Sequence, residues 1–157
     1  MPRLDICQQR LANQHLIKQT LEKASELVRV LGAVQAQDYA AAKWGVAQRV
    51  RTSTDVTVEK EITEGAILRT HVLRPTWHFV ASADIRWMLA LTAPRVRAIL
   101  AHYDRDLGVD KAELRRSRAV LTKALQGGRQ LTRAELSTAL KRARIRTENT
   151  QRLARLI

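Results

Sequence analysis

The stretch Ile67-Leu68-Arg69-Thr70-His71-Val72-Leu73, then Arg74-Pro75, then Thr76-Trp77-His78-Phe79-Val80, decides how the chain is read. Its first part is apolar-rich with β-branched residues, and Arg74-Pro75 breaks it. In the second part Trp77 and Phe79 alternate with Thr76, His78 and Val80. The pattern predicts two short strands joined by a turn. Helix signals lie upstream. Asp5 can cap a helix running to about Leu16. Ser25 stands near the start of a second, where Leu27, Val28, Leu31 and Val34 recur at helical spacing. Asp38 can cap a third from Tyr39 to Val50, with Ala42, Val46 and Val50 on one face. Thr54 and Asp55 introduce a short helix that Gly65 ends. Several short helices followed by one β-hairpin is the layout of a winged helix. The expected fold is therefore mainly α with a small β-hairpin: a winged helix-turn-helix followed by the helical start of a second winged helix.

Downstream, Ser82 can cap a helix over 83–91, and Thr92 and Pro94 mark the start of another to about Asp106. Asp110 and Glu113 are spaced as a capping box for a helix to Leu125. Gly127-Gly128 forms a loop, and Thr132 with Glu135 opens a helix to about Ala143. A basic turn, Arg144-Ile145-Arg146, leads to Thr147 or Asn149 as the cap of a last helix, Thr150–Ile157. Two short helices joined by a turn of about three or four residues have helix-turn-helix proportions. The second would present Asn149, Thr150, Gln151, Arg152 and Arg155, types that reach base edges and phosphates. Leu153, Leu156 and Ile157 end the chain with nothing following to cover them, which suggests truncation or a partner. The expected domains are 1–82, a connecting segment 83–108, and 109–157.

The chain has 157 residues, 45% of them hydrophobic, enough for one ordinary domain or two small ones. Its 28 Lys and Arg against 15 Asp and Glu give +13. Residues 108–157 hold 13 of the basic and 4 of the acidic side chains, so this third carries +9. A one-sided excess in a folded segment points to double-stranded DNA through phosphate neutralisation. Anionic membrane is the weaker rival, because the basic residues are spread over several helices. Cys7 is the only cysteine, which excludes an internal disulfide and a cysteine zinc cluster. The opening MPRLDICQQR lacks the apolar run of a signal peptide, and no stretch approaches the roughly 18 apolar residues of a membrane span. The expected location is cytoplasmic, with the nucleoid. No cofactor and no metal are expected.

Few residues form a pattern suited to chemistry. His71 and His78 could face one another across the hairpin, without an evident third ligand. Asp104 and Asp106 sit at a helix end, in solvent. Gln35-Ala36-Gln37 is more suggestive. In an extended turn, residues i and i+2 point the same way, so two amides would face one place. Amides do not titrate, but they can orient a water by donating and accepting hydrogen bonds. The alternative is a pair of solvent-exposed or capping glutamines. In the hairpin, Arg69, His71, Arg74, Thr76 and His78 line a ribbon that could lie against DNA, while Trp77 and Phe79 read as core.

Three ordered strings, LGAVQAQDYAAAKWGVAQR from Leu31, GAILRTHVLRPTWHFV from Gly65 and ADIRWMLALTAP from Ala83, together resemble the AlkZ/YcaQ-type winged-helix proteins. That family includes DNA glycosylases acting on alkylated bases and interstrand crosslinks, and members known only as DNA-binding domains. The resemblance runs from about Arg10 to Ile157. It implies tandem winged helices, then a further winged helix and a β-barrel, of which this chain would supply the first unit and the opening half of the second. GRQLTRAELSTALKRARI and TQRLARLI resemble the start of that second unit. The family's Gln-x-Gln motif matches Gln35 and Gln37, which would position the water that attacks the sugar C1′. N7 alkylation already makes the leaving purine cationic, so a weak catalyst suffices. Arg69, His71, Arg74, Thr76, His78, Arg144, Arg146, Gln151, Arg152 and Arg155 would hold the DNA. Tyr39 and Trp44 look like packing residues. The other readings are a non-catalytic or regulatory DNA-binding module and an inactive truncated member. Self-association through the apolar end of the last helix is the other contact to expect.

Overall fold

The computed structural model describes residues 5–73 and 76–157. Arg74 and Pro75, at the hairpin turn, lie outside the described residues. The chain divides into two compact units, residues 1–96 and 97–157.

In the first unit the elements run α1 (Ile6–Asn13), α2 (Ala24–Leu31), β1 (Val34–Gln35), α3 (Tyr39–Ala47), α4 (Asp55–Thr63), β2 (Ile67–His71) and β3 (Trp77–Ala81). From α2 to β3 this is a winged-helix-like order of three helices, a short first strand and a terminal hairpin. The strands form one antiparallel sheet in the order β1-β3-β2. Arg69 pairs with Phe79 and Thr70 with His78 on one side of β3, and Val34 pairs with Phe79 and Gln35 with His78 on the other. β1 is a strand that the sequence pattern does not announce.

Period-two alternation divides the sheet's side chains between two faces. Ile67 and Phe79 join Leu27 and Val28 of α2, Val46 of α3 and Val58 of α4 in the main core. Val72 and Val80 turn the other way, onto Met88. Local caps start most helices: Asp5 accepts from the Cys7 and Gln8 N–H groups, Asp38 from Ala41, and Thr54 from Thr57. Helix α2 starts at Ala24, with Ser25 next to it as expected and Lys23 before it. Its free N–H groups at Ala24 and Ser25 donate instead to the Glu61 carboxylate on α4, at 2.8 and 2.9 Å. Helices α1 and α3 stop about one turn short of Leu16 and Val50, at Asn13 and Ala47.

The two helices expected around Pro94 are one, α5 (Ile85–Asp106), with Pro94 inside. Proline forfeits a single backbone hydrogen bond there, and the turns on either side keep theirs. Thr92, just before it, donates its hydroxyl to the carbonyls of Met88 (2.8 Å) and Val72 (2.6 Å).

The second unit holds the end of α5 and then α6 (Lys111–Ala124), α7 (Arg133–Arg142) and α8 (Thr150–Leu156). Thr132 and Glu135 form the expected capping box, and Asn149 caps α8. At α6 only half of the expected box exists. Asp110 accepts from the Glu113 N–H, but the Glu113 side chain pairs with Arg152. The link between α7 and α8 covers 143–149, longer than the expected three or four residues. Its Ile145 is buried, and its Thr147 hydroxyl accepts from Ser137 at 3.2 Å. Leu156 is buried with Leu140 and Leu121, and Leu153 packs against them, so α8 closes its own unit's core; Ile157 stays half exposed.

Two arginines of α8 turn inward. Arg152, 5% exposed, donates to the carbonyls of Leu107, Gly108 and Arg146 and to Glu113. Arg155 grips Asp104 with Nε and Nη2, so Asp104 is paired and not free in solvent. Removing one partner of a buried charge pair strands the other, at a cost of about 3–5 kcal/mol. Arg152→Ala should therefore destabilise α6–α8 by that order, while Arg146→Ala, whose side chain is exposed, should stay within about 0.5 kcal/mol. Hydrogen exchange of the Leu121 and Leu140 amides in the whole chain measures both.

Candidate active site

β1 is two residues long because Ala36 is the last position at which the chain can pair with β3. The Ala36 side chain is fully buried, and its N–H donates to the Trp77 carbonyl at 2.8 Å. Gln35 and Gln37 flank it, both exposed. The extended backbone therefore turns both amides to the side opposite Ala36. Both line one cavity of about 590 Å³ between β1 and α3. Ala41, Ala42 and Gly45 of α3 form its wall, and their small side chains leave the space open.

The two amides differ in what holds them. The Gln37 Oε1 accepts the Trp77 N–H at 3.2 Å, taking over from the β1 backbone where the strand ends. With its carbonyl so engaged, Gln37 presents its NH2 as a donor. Three more polar residues share the cavity: Gln14, Asp38 and Arg49. Only Asp38 stands out in the sequence, and only as a helix cap. One of its oxygens, Oδ1, accepts from Ala41 at 3.0 Å. It is the sole carboxylate on the wall among the described residues. Arg49 donates Nη1 to the Gly45 carbonyl, while its buried Nε has no partner among the described residues.

The hairpin residues do not form one ribbon. Arg69 and His71 lie on the face of Phe79, whereas His78 lies on the opposite face, in register with Thr70. His71 and His78 thus point apart, and no group of three or more metal-ligating side chains exists among the described residues. His78 is buried, its Nδ1 2.9 Å from the Thr76 carbonyl. The Thr76 hydroxyl is buried without a partner among the described residues. His71 stacks on Trp77, with ring centroids 4.2 Å apart. Burial first, then His78 and Arg69, hold its pKa below the usual value. Arg69 points inward: its Nε donates to the Ala36 carbonyl at 3.0 Å and its Nη2 to that of Gln37 at 3.3 Å.

Behind the cavity wall lies a charged network. Lys43, largely buried on α3, donates to Glu59 at 2.5 Å and Asp55 at 3.1 Å, and the Tyr39 hydroxyl donates to Glu59 at 2.8 Å. The hydrogen bond to Glu59 raises the Lys43 pKa against the effect of burial. Burial, then Glu59, raises that of Tyr39. Trp44, by contrast, stands 62% exposed and is not the packing residue its spacing suggests.

In the second unit Arg115, Arg118, Arg144, Arg146 and Gln151 are exposed, unlike Arg152. Lys123, Arg129 and Arg142 line a groove of about 750 Å³ between α6 and α7.

A family model described as AlkZ-like DNA glycosylase matches residues 28–157. No curated protein matches the chain. Among solved structures, the DNA glycosylase AlkZ of Streptomyces sahachiroi is similar, with a TM-score of 0.71 and 28% identity. The match covers 83% of this chain and 35% of that one, so this chain spans about a third of the length of its solved relative.

The Glu59 carboxyl is held below its ordinary value, first by the Lys43 hydrogen bond and then by that of Tyr39. A carboxyl depressed in the folded state stabilises above its unfolded pKa, and that contribution is lost as pH falls through the folded value. Thermal midpoints measured from pH 7 down to pH 3 should therefore drop less steeply in Glu59→Gln than in the wild type, starting from a lower midpoint at pH 7.

Proposed function

Because the chain belongs to the AlkZ-like DNA glycosylase family, we propose that its first unit hydrolyses the N-glycosidic bond of alkylated purines, such as N7-alkylguanine, in duplex DNA. The observation that carries this reading is the placement of Gln35 and Gln37 on one cavity, either side of the buried Ala36. A water between the two amides accepts from the Gln37 NH2 and donates to the Gln35 carbonyl, which leaves a lone pair for C1′. The water oxygen bonds C1′ as the bond to N9 breaks, and the electron pair leaves with the purine. The base is cationic before cleavage and neutral after it, so no general acid is needed at the leaving group. The water's proton goes to Asp38, the carboxylate on the cavity wall.

DNA is held chiefly by exposed cations of the second unit, among them Arg115, Arg118, Arg144 and Arg146, with Gln151 beside them. Helix α4 follows α3 where a winged helix places its DNA-reading helix. Here it carries Asp55, Glu59 and Glu61 against Lys60. Three of these carboxylates are engaged inside the unit, with Lys43 and with the N-terminus of α2. An acidic helix committed in this way is a poor reader of a polyanion, which favours the cavity side of the unit for DNA.

Release of N7-methylguanine from methylated duplex DNA tests the reading. Gln37→Ala should slow release by about 10²–10³-fold, the usual effect of deleting one aligned donor, with duplex affinity unchanged. Wild-type affinity should fall linearly on a log–log plot against salt. Release that is unchanged in a Gln35→Ala/Gln37→Ala variant would remove the glutamines from the mechanism. No release, together with salt-sensitive binding, would leave a DNA-binding module, a reading supported by the charge of residues 108–157.

A further inference from the structure

The segment that bears the two glutamines has few backbone bonds of its own. Between the end of β1 and the first turn of α3, the carbonyls of Ala36 and Gln37 belong to no strand ladder and no helix. Polar backbone next to a buried position needs partners. Both carbonyls take theirs from the planar fork of Arg69, whose Nε and Nη2 lie 3.0 and 3.3 Å away. The guanidinium also lies over two rings: its carbon is 4.6 Å from the Trp77 ring centroid and 5.5 Å from that of Tyr39. Tyr39 is fixed in turn by its hydrogen bonds to Glu59 and by edge-on contact with Phe79, centroids 5.9 Å apart. Trp77 closes the circuit, since its own N–H holds the Gln37 side chain.

We propose that Arg69 is a positioning residue for the catalytic pair: held against Tyr39 and Trp77, it fixes the Ala36–Gln37 backbone and so sets where the Gln37 amide points. This rests on the glycosylase reading above and gives Arg69 a role other than phosphate contact. Geometry demands arginine. A lysine offers one point charge on a flexible stem and cannot serve two carbonyls while stacking on two rings. A shift of about 1 Å at an attacking group is worth roughly 100-fold in rate.

The test compares Arg69→Lys, Gln37→Ala and the double variant, in the whole chain, on methylated duplex. Arg69→Lys should slow single-turnover release by about 100-fold at saturating enzyme, with duplex Kd and salt slope unchanged. The double variant should be no slower than Gln37→Ala alone, since Arg69 acts through Gln37. A salt slope lowered by about one unit with the rate retained would make Arg69 a phosphate contact and overturn the proposal. A second readout needs no activity. In Arg69→Lys, hydrogen exchange at the Trp77 and Ala36 amides should rise at least about tenfold, the equivalent of 1.4 kcal/mol of lost protection, with Leu27 and Val28 unchanged. Unchanged exchange at Trp77 and Ala36 overturns the clamp. Absence of base release in the wild type overturns the glycosylase reading and leaves the clamp to be decided by exchange.

Discussion

The short pairing of β1 with β3 is the joint on which the first unit turns. Two residue pairs and one further bond, from Ala36 to Trp77, tie the backbone of the α2–α3 connection to the hairpin, and the Arg69 and Gln37 side chains add three hydrogen bonds across the same joint. Yet that tie does three things at once. It buries Ala36 under the sheet edge, it turns the residues on either side of Ala36 to the open side, and it brings the start of α3 against Phe79. A slip of one residue would reverse every side chain in the segment, burying two amides and exposing the alanine. The burial of Ala36 sets the register, and the register sets the site.

Polar side chains committed to backbone recur in both units. Glu61 caps a helix 36 residues before it, Arg69 braces the turn that carries the glutamines, and Arg152 gathers three carbonyls around the entry to α6. Each replaces a secondary-structure partner that the local chain cannot supply. Several side chains that a basic, DNA-directed composition would assign to the surface are therefore structural parts.

What was legible in the sequence follows from how local each cause is. The caps at Asp5, Asp38, Thr54, Thr132 and Asn149 could be read because a side chain bonds backbone two or three residues away. The hairpin could be read from alternation, and the shared side of Gln35 and Gln37 from the period of an extended chain. β1 could not, because two residues show no periodicity and the strand exists only through its partner. The uninterrupted α5 defeats the rule that proline starts a helix, since one lost bond is small beside 22 residues of helix. The inward turn of Arg152 and Arg155 depends on where Leu107, Glu113 and Asp104 arrive in space, which no short window shows. Asp38 and Arg49 join the cavity for the same reason: α3 brings them there.

The acidic helix α4 has a kinetic consequence. A particle approaching a uniformly charged rod samples many orientations, and those that lead with like charge are turned away before contact. Asp55 and Glu59, which share the single cation of Lys43, leave α4 with an excess of negative charge. If duplex DNA is the partner, as proposed above, a collision with its phosphate backbone that begins on α4 is unproductive, and tumbling continues until another side arrives. On that reading, the carboxylates that stabilise the first unit from within also thin out its wrong encounters, a filter that acts on the association rate and leaves no trace in the bound state.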